Sequence, residues 1–366
     1  MRQAWSYARS TYAGSTYAGS PLFLSAVAGI AFLFYFGGFN SLLSNQSASL
    51  PVELGRAQSR AHPDARIVVL GNSTAAEDFL AQWFNTHSPD EKALNLGVAS
   101  GHLYLFERML ALAMRQGVRP RKIILITTPE VLSLRPDFDF LMNDLTLLKT
   151  EIDARDFLRL RDHTRDPGGY VEYASHVAVR PVLYRAELRD FFVHPRQRLE
   201  EAAAVRRWLA GFDRQTPMNE PNNTFSVCDA GPLSELKETI AGLRRQGRAE
   251  LAAAAARVQA GYAVRVHQPL KVDAFETVRF RRVLEKLTAV APVYLTAAPY
   301  YDPDFDQYPR DYRDSAAQTI RRVAAQVPGV TVVPDFASDC SVFFDTVHLN
   351  RKGGEQFTEY LRARVL

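Results

Sequence analysis

Only two cysteines, Cys228 and Cys340, occur in 366 residues, and they stand far apart along the chain. The sequence has no Cys-x-x-Cys pair, no zinc-ligand helix motif and no phosphate-binding glycine loop. Clustered-thiol metal sites, dithiol redox centres and nucleotide loops are thereby excluded. The two thiols either pair in an oxidising compartment or stay unpaired and buried; their positions in sequence do not choose between these. The net charge is only +4, with no basic cluster interleaved with aromatics, so no nucleic-acid partner is expected. Asp302, Asp304 and Asp306 imitate the start of a calcium loop, but Gln307 and Arg313 stand where that loop needs glycine and glutamate. No metal is predicted there, and no cofactor elsewhere.

Charge is also missing locally. No Asp, Glu, Lys or Arg lies between Arg9 and Glu53, and residues 21–39 within that gap are almost wholly apolar. About 20 such residues span the hydrocarbon core of a bilayer, whereas the apolar part of a cleaved signal usually runs only ~7–15. Phe34, Tyr35, Phe36 and Phe39 add interfacial aromatics toward one end. The expectation is a retained single-pass anchor over residues 21–43, preceded by a cytoplasmic tail (1–20) and followed by a linker (44–63). Arg2 and Arg9 before the span favour a cytoplasmic N-terminus, although Arg56 and Arg60 come after it. The remainder, residues 64–366, would then lie on the extracytoplasmic, periplasmic side.

Beyond the anchor the composition is that of an ordinary globular protein, for the whole chain is 47% apolar and 23% charged. Short β-forming runs near residues 66–71, 93–97, 122–127, 292–297 and 330–334 alternate with helical patterns, among them 273–289, 312–326 and a last one after Asn350. Such alternation predicts an α/β fold: a three-layer sandwich around a mainly parallel five-stranded sheet. Residues 135–270 break the pattern and read as a mostly helical insertion over the carboxyl edge of the sheet, either a substrate lid or a structural cap.

The chain is organised around I-V-V-L-G-N-S-T (residues 67–74), a buried strand that ends in a sharp turn and opens a helix. Ser73 or Thr74 there is either a helix cap or a nucleophile placed beside free backbone N–H groups. The last segment, F-F-D-T-V-H-L-N (residues 343–350), sets Asp345 and His348 three apart. Serine chemistry needs that pair: a base that titrates near neutral pH and a carboxylate that fixes its tautomer. In A-L-N-L-G (residues 93–97) a further strand runs into Gly97, whose N–H is a candidate oxyanion donor.

These blocks, in the order Ser, Gly, Asp, His, resemble the SGNH or GDSL-like hydrolase superfamily over residues 65–130 and 290–366. The resemblance implies a serine esterase or O-acyltransferase in which Ser73 attacks, His348 takes the proton and Asp345 orients the imidazole. The oxyanion would be held by Ser73 and Gly97. Where the superfamily has G-x-N-D, this chain has I-L-I-T-T-P-E (residues 124–130), so Thr127 or Thr128 stands in place of the usual asparagine. That departure is similar to the membrane-anchored D-alanine transfer proteins of teichoic-acid modification and to related polysaccharide O-acetylation proteins. An acylated envelope polysaccharide or polymer is the implied substrate, with acetyl as the default acyl group and a membrane-bound acyltransferase as a partner. The same resemblance allows two alternatives: a D-alanine-transfer-like protein, or a scaffold that has kept the fold and lost activity. His102, Glu130, Tyr300 and Tyr301 are weaker candidates for substrate contact, the tyrosines as part of an aromatic platform with Phe305, Tyr308 and Tyr312.

Overall fold

The structure, a computed structural model, describes residues 29, 49–133, 139–153, 155–179, 183–210, 226, 228, 236–247, 252, 256, 271–301, 310–345 and 347–366. The expected anchor over 21–43 (apart from Gly29), the tail before it and the Asp302–Asp304–Asp306 stretch lie outside these residues. Among the described residues, no helix is long and apolar enough to cross a membrane.

In chain order the elements are α1 (Leu50–Ala61), β1 (Ile67–Gly71), α2 (Ser73–Asp78), α3 (Ala81–His87), β2 (Ala93–Asn95), α4 (Leu103–Arg115) and β3 (Lys122–Thr127). A 3₁₀ turn, Pro129–Leu132, leads into α5 (Phe140–Leu147), α6 (Asp156–Leu160), α7 (Pro167–Ala178), α8 (Arg185–Val193), α9 (Pro195–Ala210) and α10 (Leu236–Arg245). The core resumes with α11 (Ala274–Thr288), β4 (Val293–Ala297), α12 (Arg310–Ala324), β5 (Val330–Val332) and α13 (Arg351–Val365).

The five strands form one all-parallel sheet in the order β2-β1-β3-β4-β5. Parallel strands are covered on both faces, and their sequences are therefore continuous apolar runs. Ile67, Val68, Val69 and Leu70 of β1 and Ile123 to Ile126 of β3 are fully buried. Helix α4 packs on α1 and α11, and α12 packs on α11; α13 packs on α2 and α3. The chain order reverses direction between β1 and β3, which is where an open sheet leaves a crevice at the carboxyl ends of its strands.

One sequence expectation needs correction, and one question left open by sequence is answered. The stretch 44–63, read as a linker, contains α1, whose Val52, Gly55 and Ala57 are buried against the domain. Its polar residues misled because Gln58 and Ser59 are buried as well, Ser59 Oγ donating to the Gly55 carbonyl at 2.7 Å. The two cysteines, left open by sequence, are joined as a disulfide with their Cα atoms 5.2 Å apart. It ties the 135–270 insertion to the loop just before Asp345.

The insertion leaves and returns at one place, where Ser133 and Val272 form an isolated antiparallel bridge and the Asp273 N–H donates to the Leu132 carbonyl at 2.8 Å. Its helices are anchored by polar contacts. Asp144 of α5 accepts from the His102 and Leu105 N–H groups at 2.9 and 3.0 Å, capping α4 from outside its own segment. Lys149 pairs with Glu187, both buried, and Asp156 of α6 accepts from Tyr104 at 2.5 Å.

Gly71 ends β1 at φ +153°, and a Cβ there would lie 2.4 Å from the Ile126 carbonyl oxygen and 2.6 Å from Ala75 Cβ. The turn that presents Ser73 is therefore open to glycine alone. Gly71→Ala is expected to lose about 2–4 kcal/mol of stability in urea unfolding, the sum of strain and overpacking.

Candidate active site

Strand β1 delivers Gly71, Asn72 and Ser73 to the carboxyl edge of the sheet. The cap of α2 is Asn72, not Ser73 or Thr74: its side-chain oxygen accepts from the Thr74 N–H at 3.1 Å and the Thr74 hydroxyl at 2.7 Å. Ser73 Oγ is thus released from the capping role that sequence could not rule out. Helix α2 is only six residues long, so what it offers an anion is the N–H groups of its first turn rather than a long macrodipole.

The base arrives from the other end of the chain. Asp345 Oδ1 accepts from the Val347 and His348 N–H groups at 2.9 and 2.8 Å, an Asp-headed turn that fixes where the imidazole starts. The Asp345 carboxylate also lies 2.9 Å (Oδ2) and 3.1 Å (Oδ1) from His348 Nδ1. A carboxylate can only accept, so Nδ1 carries a proton, and when the ring is neutral Nε2 is left with its lone pair. That Nε2 lies 2.9 Å from Ser73 Oγ, across 275 residues of sequence. The three side chains expected from sequence are therefore within hydrogen-bonding reach as a Ser–His–Asp relay.

The loop is held over α2 from below. Asp78 accepts from the Leu349 N–H at 2.8 Å, and Thr358 of α13 accepts from the Leu80 N–H at 2.9 Å. Gly354 lets α13 approach closely, since a Cβ there would meet Leu80 at 3.1 Å. Burial pushes the Asp78 carboxyl well above the usual range, against the opposing charge of His348 and the Leu349 N–H. For His348, burial pulls the imidazole down, but the hydrogen bond and charge of Asp345, joined by the charges of Glu77 and Asp78, raise it to about 9. Burial likewise disfavours the Asp345 carboxylate, yet its bonds to His348 and the turn N–H groups hold it below the ordinary value.

The Gly97 N–H, the candidate oxyanion donor, is already engaged in this structure. Its N–H donates to Asn95 Oδ1 at 2.9 Å, while the Asn95 amide donates to the Ala75 and Phe79 carbonyls at 2.7 and 2.9 Å. The glycine is needed for packing instead, because a Cβ would lie 2.4 Å from the Ala76 nitrogen. Thr128 is placed differently. The Thr74 N–H can only donate, so it fixes the Asn72 oxygen on its own side and turns the Asn72 amide nitrogen to Thr128 Oγ1, 3.2 Å away. With its oxygen already accepting, the Thr128 hydroxyl keeps its proton to donate.

Asn72, Ser73, Thr128, Thr127, His102 and Glu130 share the wall of one cavity of about 190 Å³. His102 and Glu130, the weaker candidates, therefore do face the nucleophile's pocket. Tyr300 and Tyr301 do not line it. Tyr300 borders a second cavity, beyond Thr127 and Pro129, where the Arg313 guanidinium lies 5.7 Å from its ring centre. Tyr301 packs beside Phe343, and Tyr312 is buried with its hydroxyl donating to the Pro129 carbonyl at 2.7 Å. These rings fill space rather than form a platform at Ser73; Phe305 and Tyr308 lie outside the described residues. No group of three or more His, Cys, Asp or Glu arranged to hold a metal occurs among the described residues. Asn72 and Asn95 are the site-building residues that sequence reading passed over, although an Asn one position before a helix start is a capping signal.

No family model matches the chain, and no curated protein matches it either.

The His348 shift sets opposite trends for stability and reactivity. Its folded pKa lies above the unfolded value of about 6.5, so the pairing with Asp345 stabilises fully below about pH 6.5 and is lost as pH rises through about 9. Nε2 accepts a proton only when neutral. Labelling of Ser73 by a fluorophosphonate probe is expected to rise with pH toward an inflection near 9, and Asp345→Asn should lower both that inflection and the rate, the latter on the order of 10³–10⁴-fold. A rate independent of pH between 6 and 10 would contradict the assignment.

Proposed function

We propose that the chain is a serine esterase or O-acyltransferase of the SGNH kind, with a doubly wound α/β sandwich as its fold. The observation that carries this reading is the 2.9 Å approach of His348 Nε2 to Ser73 Oγ, with Asp345 fixing the imidazole from behind.

In the reaction, Ser73 Oγ attacks an ester carbonyl as its proton moves to His348 Nε2. The new C–O bond converts the carbonyl oxygen to an oxyanion, which the Ser73 N–H and the Thr128 hydroxyl would meet. On collapse, the bond to the alcohol breaks and His348 returns the proton to the departing oxygen. Water, or the hydroxyl of an acceptor, then attacks the acyl-enzyme with His348 again as base, and Ser73 is restored. Asp345 stays ionised throughout and stabilises the imidazolium. Thr128 thus takes the part that the superfamily gives to an asparagine. A hydroxyl does this with one donor whose direction is set by Asn72.

The apolar stretch 21–43 comes before α1 in the chain and, as a membrane anchor, would hold the site beside the bilayer on the extracytoplasmic side. This suits an acylated envelope polysaccharide or polymer as substrate, with a membrane-bound acyltransferase as a partner that supplies or receives the acyl group.

Fluorophosphonate labelling of the wild type, abolished in Ser73→Ala, is the expected result; a wild type that stays unlabelled at every pH would leave a scaffold. Thr128→Val should lower kcat about 10²-fold with little change in KM, the loss typical of one oxyanion donor, whereas Thr128→Ser should retain most of the rate. Equal losses in both variants would remove Thr128 from the oxyanion site.

A further inference from the structure

The cavity beside Ser73 carries polar atoms that the serine relay does not use. His102 and Thr127 are each only 3% exposed, and neither His102 ring nitrogen nor Thr127 Oγ1 has a hydrogen-bond partner. Both side chains line the cavity. Buried polar atoms are nearly always matched, so three unmatched ones on one wall point to something that enters and matches them. The space, about 190 Å³, far exceeds the ~10–15 Å³ that a single water needs.

His102 is firmly set. Its backbone N–H donates to Asp144, and its ring stacks on Phe140 with centroids 4.2 Å apart. Ser100, two residues earlier, holds a left-handed φ of 61°, and its carbonyl accepts from the Asn143 amide at 2.8 Å. A strained residue kept in place by a neighbouring helix is a device for aiming the side chains next to it. Burial, and then the charge of Arg279, keep the imidazole neutral; the Glu130 backbone carbonyl pulls the other way, though it already accepts from the Ser133 N–H and hydroxyl, each at 2.9 Å.

His348 does not line this cavity. In acyl transfer the departing oxygen must lie against the imidazole that protonates it, so a cavity that touches Ser73 and excludes His348 receives the acyl substituent. A neutral imidazole offers one N–H and one lone pair, which a hydroxyl, itself donor and acceptor, can match. An ammonium could only donate, and it would sit within reach of the Arg279 charge. We propose that this cavity is an acyl pocket for a short acyl chain bearing a hydroxyl next to its carbonyl, of lactoyl size, recognised by His102 and Thr127. The proposal rests on the serine acyl-transfer reading above and names its acyl group in place of acetyl.

The test compares 4-nitrophenyl esters of lactate, propanoate and alanine on the full chain. kcat/KM for lactate is expected to exceed that for propanoate by about tenfold or more, as for sites built to bond a substrate hydroxyl. The ratio should fall toward one in His102→Phe and be partly kept in His102→Gln and lowered in Thr127→Val. Equal wild-type rates, a ratio untouched by His102→Phe, or a preference for the alanyl ester would overturn it; the last would give the pocket to the Glu130 carboxylate and a cation. A second arm needs no turnover. Saturation-transfer NMR with Ser73→Ala should detect methyl lactate over methyl propanoate, and lose that preference in Ser73→Ala/His102→Phe. Methyl lactate binding with no hydrolysis of any ester would sink the serine reaction and leave the pocket standing; no preference between the methyl esters sinks the pocket.

Discussion

Asp78 accepts from the Leu349 N–H at 2.8 Å, and through that bond the last loop of the chain is fixed over its first βα turn. The contact joins residues 271 positions apart. It is fully buried, and neither residue lines the cavity beside Ser73. Everything chemical depends on it, because Ser73 and His348 belong to elements that local sequence cannot bring together. Gly354 and Thr358 of α13 extend the same seam by accepting Leu80 closely. A buried acid with a raised pKa is an expensive pin, and its cost is met by a satisfied N–H and by the adjacent imidazole, which gains positive character from it.

The site proper is built by turning small polar side chains into fixed donors and acceptors. Asn72 caps α2, which frees Ser73 Oγ and orients Thr128 in one step. Asn95 closes the neighbouring turn by bonding three carbonyls of the α2 region and the Gly97 N–H. Each of these amides has its oxygen on a backbone N–H, and that single obligation decides which way the nitrogen faces. Preorganisation of this sort spares the reaction a reorganisation cost at the moment when charge develops.

The helical insertion does more than cover the edge. Asp144 caps α4 beside His102, Asn143 holds the strained Ser100, and Phe140 stacks on the His102 ring. The disulfide ties it to the loop that bears Asp345. One wall of the cavity is thus made by the core sheet and another by the insertion, and they are braced against each other by polar contacts, buried at Asp144 and exposed at Asn143, as well as by apolar packing. This favours a pocket of fixed shape over a loose cover.

The strands and helices of the core were legible because a parallel sheet covered on both faces demands unbroken apolar runs, and β1 and β3 supply them. Ser73, Asp345 and His348 were legible for a related reason: a nucleophile needs a strand-to-helix turn and its base needs a carboxylate close in sequence, both local patterns. The linker reading of 44–63 failed since polarity does not report burial once a serine such as Ser59 finds a backbone carbonyl. That the Gly97 N–H is engaged by Asn95 was not legible, because a bare N–H looks available until the side chain beside it is placed. The tyrosines after β4 were misread because aromatic rings advertise area, not address. The sequence alone determined the alternation of strands and helices, the parallel sheet and the three residues Ser73, Asp345 and His348 that meet at its edge, since hydrophobic period and short-range spacing are properties of the chain itself. Only the tertiary structure decided the pairing of the cysteines, the direction of the Thr128 hydroxyl and the unmatched atoms of His102, because each depends on which distant polar group arrives first to satisfy a buried donor or acceptor.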